Sequence, residues 1–293
     1  MKKGIDVSTF QGRLSEEKWL EIKNSGIDFA ILRIGFTGYG KAKSKQIDDQ
    51  FENNYAICKK IGMPVGGYWY SCATSEEEAI EEAEYTLKYL KGKKLEYPVY
   101  IDTEDNHDIN KYAPASQYSI GKDRLTEVIK TYCEYMEKNK YYVGIYASLN
   151  WLYNQLDLKE LTMYDKWVAQ WAPRCTYEGS YGMWQYTNKG ELANIKLDMN
   201  EGYYNFEEII KERKLNGFDD EGVIEGENLK AGDKVRIIDT GNANSYGTGR
   251  VAKGISWERE ILNIYPKREY PYRVGNKKGT TGFYKANALK KIS

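Results

Sequence analysis

The sequence predicts an α/β chain: a modified TIM-like (β/α) barrel with an irregular second half, followed by a small all-β barrel. Three observations carry this. Over about the first 210 residues, eight short apolar runs alternate with stretches whose apolar residues recur at three- and four-residue spacing. Three of those runs end in acid, as strands converging on one barrel mouth would. Beyond residue 228 the pattern changes to short β-branched and aromatic runs separated by Gly, Asn and Lys, the signature of a small β-barrel.

The elements follow in order. Lys3–Ser8 is a strand with Asp6 near its C-terminal end, and the turn-forming run Ser8-Thr9-Phe10-Gln11-Gly12 follows it. The further strands are Phe29–Gly35, Pro64–Ser71, Tyr97–Thr103, Val143–Ser148, Trp167–Trp171, Gly182–Tyr186 and Ile195–Met199. Helices are expected over Ser15–Asn24, Gln46–Ile61, Ser75–Leu90 and Lys122–Lys138. Thr74 and Ser75 followed by Glu76, Glu77 and Glu78 supply a cap and favourable negative charge at a helix start. Between Trp167 and Met199 there is room for little helix, so five βα units give way to a compressed, strand-rich end. A last helix begins at Phe206. The predicted domains are 1–212 and 229–293, joined by a linker over 213–228 whose later part is rich in Gly and acid. In the second domain the strand-like runs include Lys234–Ile238, Gly249–Ala252, Glu260–Tyr265 and Tyr270–Val274. A domain of this size has a thin core, and this one has no His or Cys, so it is suited to binding rather than catalysis.

Composition narrows the function classes. The formal charge of zero hides a split: residues 225–293 carry 14 Lys and Arg against 7 Asp and Glu, a net of +7, and the rest carries −7. A basic end is drawn to polyanions such as the cell wall or nucleic acid, but no nucleic-acid-binding motif accompanies it. The 27 Tyr and 7 Trp give flat apolar faces with a polar handle, suited both to a barrel core and to sugar rings. Cys58, Cys72, Cys133 and Cys175 lack metal or redox spacing and are read as free thiols; no metal or cofactor is expected. No apolar run is long enough to insert in a membrane, and the N-terminus enters a strand without a signal segment, so the expectation is synthesis in the cytoplasm without a cleaved leader.

The chemistry centres on residues 97–105, YPVYIDTED. In a strand, Asp102 and Glu104 point to the same face with Cα atoms about 7 Å apart. Such a pair, with surroundings that push the two pKa values apart, is how glycosidases divide acid and charge-stabilising work. Two solvated acids at a strand end is the plain alternative. Asp6, and Asp198 in NIKLDMN (194–200), bring further acids to the same mouth if the strands form a barrel. Clustered buried carboxylates are costly unless they serve a reaction.

Several motifs occur together: GIDVSTFQG (4–12), GYWYSCATSEEEAIEEA (67–83), YPVYIDTED, and MWQYTNKGEL (183–192) followed by IKLDMN. In this set and order, over about residues 1–210, the chain resembles glycoside hydrolase family 25, the lysozymes of phage endolysins and bacterial autolysins. The C-terminal part, with KAGDKVRIIDTG (230–241), resembles a bacterial SH3-like cell-wall-binding domain. The resemblance implies hydrolysis of the β-1,4 bond between N-acetylmuramic acid and N-acetylglucosamine in bacterial peptidoglycan. It makes Glu104 the general acid, Asp102 its partner, and Asp6 and Asp198 supporting acids. It also implies binding to cell-wall polymers through the basic domain and release to the wall by a holin-type partner if the chain is phage-encoded. The second carboxylate role stays open between base, nucleophile and a group that orients the substrate's 2-acetamido, with the last preferred for Asp102.

For substrate contacts the candidates are Tyr68, Tyr70, Tyr146, Trp171 and Gln185, with Trp69 turned to the helices by strand alternation. Arg33 either holds a carboxylate in its charged form, touches the sugar, or forms a structural ion pair. His107 is read as an exposed loop residue. Two competing functions remain: another acetamido-sugar hydrolase such as a chitinase-like enzyme, and a non-catalytic wall-glycan binder.

Overall fold

All eight strands expected in the first part of the chain form, and they close into a barrel. The structure is a computed structural model that describes residues 1–38, 42–104, 116–218, 229–238, 241–242, 251–252, 257–265, 270–276, 279–285 and 288–292. Residues 1–218 make one compact unit and 219–293 a second.

The barrel strands are β1 (Lys2–Val7), β2 (Phe29–Thr37), β4 (Val65–Tyr70), β5 (Val99–Asp102), β6 (Val143–Ser148), β7 (Asp165–Ala169), β8 (Met183–Leu192) and β9 (Ile195–Gly202). Neighbours are parallel from β1 through β2, β4, β5, β6 and β7 to β8. The ring closes through β9, which runs antiparallel to both β8 and β1. A short strand, β3 (Lys45–Ile47), pairs antiparallel with the far end of β2. The crossovers carry α1 (Glu16–Asn24), α2 (Phe51–Lys60), α3 (Glu76–Leu90), α4 (Lys122–Lys138) and α5 (Leu149–Gln155), and α6 (Phe206–Glu212) follows the last strand.

Four features differ from the sequence reading. Asp198 was expected at the end of a parallel strand, yet β9 is antiparallel. Leu192 pairs with Ile195 across a two-residue turn, and a link that short can only reverse the chain. Ala193 and Asn194 both take positive φ there, 53° and 61°. Second, α2 begins at Phe51 rather than at residue 46, because Lys45–Ile47 is strand. Third, α5, capped by the Ser148 side chain on the Trp151 amide, had no expectation. Fourth, residues 213–218 of the expected linker belong to the barrel. The Asn216 side chain is buried, donates to the Tyr97 carbonyl at 2.9 Å and accepts from the Tyr142 amide at 2.7 Å.

Two layers of core result from strand alternation. Outward-facing Leu32, Ile34, Val65, Trp69, Val99, Ile101 and Ile145 pack against helix faces, including Leu125, Ile129, Tyr132 and Met136 of α4. Trp69 is thus on the helix side, as alternation predicts. Inward-facing Phe29, Ile31, Tyr100, Trp167 and Met183 fill the barrel, and Phe206 of α6 packs on Tyr97 and Tyr142 at ring distances of 5.5 and 5.8 Å. Tyr97 and Tyr142 lie within two residues of the starts of strands β5 and β6, so α6 plugs the N-terminal end and leaves the opposite end open.

The second unit is an antiparallel sheet of β10 (Lys234–Ile237), β11 (Gly241–Asn242), β12 (Val251–Ala252), β13 (Glu258–Ile264), β14 (Tyr272–Asn276), β15 (Gly279–Tyr284) and β16 (Leu289–Lys291), in the order β12-β11-β15-β14-β13-β10-β16. Its core is Val235, Ile237, Ile261, Val274, Tyr284 and Leu289. Strands β11, β15 and β16 were not anticipated.

Candidate active site

At the open end, the strand ends surround a cavity of about 540 Å³ lined by all four of the singled-out acids, Asp6, Asp102, Glu104 and Asp198. Tyr68, Tyr70, Tyr146, Gln185 and Arg33 line it as well. Trp171 does not. It stands beside the cavity, well exposed, and donates its indole N–H to Gln185 Oε1 at 3.1 Å. The sequence reading carries the strand on to Trp171, whereas β7 ends at Ala169.

The acids are held in different ways. Asp6 is buried on β1, and its Oδ2 accepts from Gln185 Nε2 at 3.0 Å and Asn200 Nδ2 at 2.8 Å. Asn200 in turn accepts from Trp167 Nε1 at 2.8 Å. Asp198 faces Asp6 directly across the β1–β9 ladder. Burial first, and then the Asp198 charge, push the Asp6 carboxyl up to about 7, against the pull of the two amides. Asp102 is buried at the end of β5, and its Oδ1 has no hydrogen-bond partner among the described residues. Burial and then the charges of Glu104 and Asp6 hold its carboxyl well above the usual carboxylate range, with Arg33 opposing. Glu104 is raised by burial and by Asp198, and a hydrogen bond with Tyr146 works against the rise. Burial raises Asp198 too.

Tyr146 also donates to Gln185 Oε1 at 3.1 Å. A phenol has one proton, so Tyr146 cannot serve Gln185 and an ionised Glu104 at once. With Glu104 protonated, the tyrosine proton belongs to Gln185; once Glu104 ionises, that proton can turn to it.

Arg33 forms the structural ion pair that the sequence left as one alternative. Its Nε donates to Asp48 Oδ2 at 2.7 Å with both side chains nearly enclosed. Its guanidinium centre also lies 5.2 Å from the Phe10 ring and 5.0 Å from the Phe36 ring. Asp48 accepts the Thr9 amide at 2.8 Å, so one carboxylate ties the turn after β1 to β2.

Sequence reasoning missed Phe10, Gln11, Phe36, Trp167 and Asn200. Two had readable signals. Ser8 and Gln11 form a capping box, which the S-x-x-Q spacing announces, and it holds Phe10 with 84% of its surface exposed at the cavity. Asn200 shares the strand face of Asp198. Phe36 had no such signal, because β2 carries a bulge between Arg33 and Gly35 that reverses the alternation and turns both Arg33 and Phe36 to the cavity. Gly35 is required there: a Cβ would lie 2.4 Å from the Trp69 ring and from the Gln46 carbonyl oxygen. His107 lies outside the described residues. Among the described residues, no group of three or more His, Cys, Asp or Glu is placed to hold a metal ion.

A cavity where several carboxyls keep raised pKa values and one buried oxygen lacks a donor is equipped to deliver a proton to a neutral leaving oxygen and to balance developing positive charge. Several known proteins are similar to this chain. The modular autolysin LytC from Streptococcus pneumoniae is 27% identical, with a TM-score of 0.59 over 69% of this chain and 46% of its own. The chain therefore spans less than half of that protein. The bacterial lysozyme from Streptomyces coelicolor (22% identity, TM-score 0.57) shares the fold over 74% of this chain and 98% of its own. The Clostridium perfringens spore cortex lytic enzyme SleM (16% identity, TM-score 0.58) shares it over 99% of this chain and 96% of its own. No curated protein sequence matches the chain. Residues 5–195 match the family described as "Glycosyl hydrolases family 25", a span that begins just before Asp6 and takes in Asp102 and Glu104; the chain belongs to that family and is a glycoside hydrolase.

Proposed function

We propose that the chain is an N-acetylmuramidase that hydrolyses the β-1,4 bond between N-acetylmuramic acid and N-acetylglucosamine in bacterial peptidoglycan. The observation that carries this reading is the carboxyl cluster on the floor of the cavity. A structure of LytC contains a synthetic peptidoglycan ligand, and at 26% identity that protein supports the same substrate class here. Glu104, kept protonated by burial, gives its proton to the glycosidic oxygen as the C1–O bond breaks. Tyr146 then supplies a hydrogen bond to the carboxylate left behind. The unpartnered Oδ1 of Asp102 favours the substrate-assisted route: it accepts the acetamido N–H while the acetamido oxygen bonds to C1. Water, deprotonated by Glu104, later attacks C1, opens that ring and restores the acid. Asp198, and Asp6 as it ionises near pH 7, stabilise the positive charge that builds at C1.

Digestion of Gram-positive peptidoglycan followed by borohydride reduction tests the bond assignment. New muramitol is expected. Glucosaminitol in its place would move cleavage to the other bond, and no new reducing end with intact wall binding would leave only a glycan-binding protein.

We further propose that residues 229–293 form an SH3-like module that binds cell-wall polymers. Its net basic charge and the half-exposed Trp257, with the Arg259 guanidinium 4.5 Å from the ring centre, support an anionic, ring-containing ligand. Retention of the whole protein on purified walls should weaken steeply as salt is raised. Retention that ignores salt would rule out a charge-driven contact.

A further inference from the structure

Thr103 stands between Asp102 and Glu104, and alternation turns it away from the cavity into the helix-facing layer, where its strand neighbours Val99 and Ile101 are apolar. It is fully buried and so are the polar side chains it meets. Its hydroxyl accepts from Trp151 Nε1 at 3.0 Å and donates to Gln117 Oε1 at 2.8 Å. Gln117 in turn spends its amide protons on Ser71 Oγ at 3.0 Å and the Ala73 carbonyl at 3.2 Å. The chain of bonds thus links α5, the end of β5 and the segment just past the end of β4. The backbone repeats the link, since the Ser71 amide donates to the Asp102 carbonyl at 2.9 Å.

A buried polar chain is a costly way to fill a layer that Val and Ile fill elsewhere on the same strand, and what it supplies instead is one fixed arrangement. On the cavity side that arrangement sets where Asp102 and Glu104 stand. There, Asp102 Oδ1 has no hydrogen-bond partner among the described residues to hold it. The Thr103–Gln117 bonds lie behind the end of β5 and brace it from the helix side.

We propose that Gln117 is a positioning residue for the hydrolysis, acting through Thr103 to set the approach of Glu104 and Asp102 to the glycosidic bond. The inference rests on the muramidase reading. Ser71 is the far anchor of the clamp, and Trp151 completes the valence of Thr103 so that its proton has one direction in which to point.

The test compares Thr103→Val, which keeps the shape and removes the hydroxyl, with Thr103→Ser, which keeps the hydroxyl, and adds Gln117→Ala and the Thr103→Val/Gln117→Ala double variant. Each is assayed for release of reducing ends from peptidoglycan across pH. Thr103→Val is expected to lower kcat about tenfold or more with KM within about twofold, because loss of alignment by a fraction of an ångström weakens the proton transfer and not ground-state binding. The basic limb of its kcat–pH profile should move to lower pH as Glu104 relaxes toward water. Thr103→Ser should restore both, and the double variant should be no worse than the more affected single variant. Unchanged kcat and pH profile in Thr103→Val, or a loss that Thr103→Ser shares, would overturn the proposal. If Thr103→Val does not fold, Ser71→Ala cuts the far anchor with the loss of one oxygen, and the same kcat and pH criteria decide. A parent that releases no reducing ends sinks the muramidase reading and this inference together; an active parent with an indifferent Thr103→Val sinks the inference alone.

Discussion

Glu104→Gln is expected to lower kcat on peptidoglycan by about 10²- to 10⁴-fold, with KM and wall binding close to those of the parent. The amide matches the carboxyl in size and can still meet Tyr146, but it has no proton to transfer to a leaving alkoxide. Because burial, and with it the Asp198 charge, raise the Glu104 carboxyl, the parent keeps its acid form to higher pH than a free glutamate would, and its rate should fall on the alkaline side as that proton is lost. The variant's residual rate should show no such alkaline limb. Steady-state kinetics with reduced-end analysis reads both effects, and a variant that keeps the parent's kcat would remove Glu104 from the acid role.

Asp6→Asn should abolish most activity and stabilise the barrel at neutral and alkaline pH. The sign follows from proton counts. Unfolded Asp6 releases its proton near 3.8, whereas the folded carboxyl holds it up to about 7. Between those values the native state binds the extra proton, so stability declines as pH rises through that window and then levels off. Each unit of difference is worth about 1.4 kcal/mol, which bounds the loss at roughly 4 kcal/mol, shared across the interacting acids. Asparagine removes the penalty, keeps an oxygen for the Gln185 and Asn200 donors, and presents its own N–H₂ to Asp198. Thermal unfolding of parent and variant from pH 4 to 8 should show curves that coincide at the acid end and separate by several degrees at the alkaline end. Parallel curves would mean that Asp6 is ionised in the folded state throughout.

The contrast between what could be read from the sequence and what could not follows from where the local rules hold. Strand runs such as Val143–Ser148 and the α4 span Lys122–Lys138 were legible to the residue, because apolar spacing alone determines them. The pairing of Asp102 with Glu104 was legible for the same reason. Asp198 was placed in the right neighbourhood for the wrong reason, since its strand enters the mouth from the opposite direction; the reversing turn Ala193-Asn194 has no glycine to mark it. Phe36 was hidden by a bulge, and Asp48 by its dependence on partners 15 and 39 residues away. In the second unit, brief strands such as β11 and β16 are set by pairing partners and not by their own two or three residues.

The antiparallel closing strand has a further consequence for the order in which the molecule can assemble. Asp6 takes its two amide donors from residues 179 and 194 positions later in the chain. While the polypeptide is being synthesised, β1 can pair with β2, but its other edge stays unpaired until β8 and β9 emerge as a hairpin. Closing so long a loop comes late, after local contacts have formed. The carboxyl cluster is therefore among the last features to form, and a chain that has not joined its first strand to its last has no complete catalytic floor.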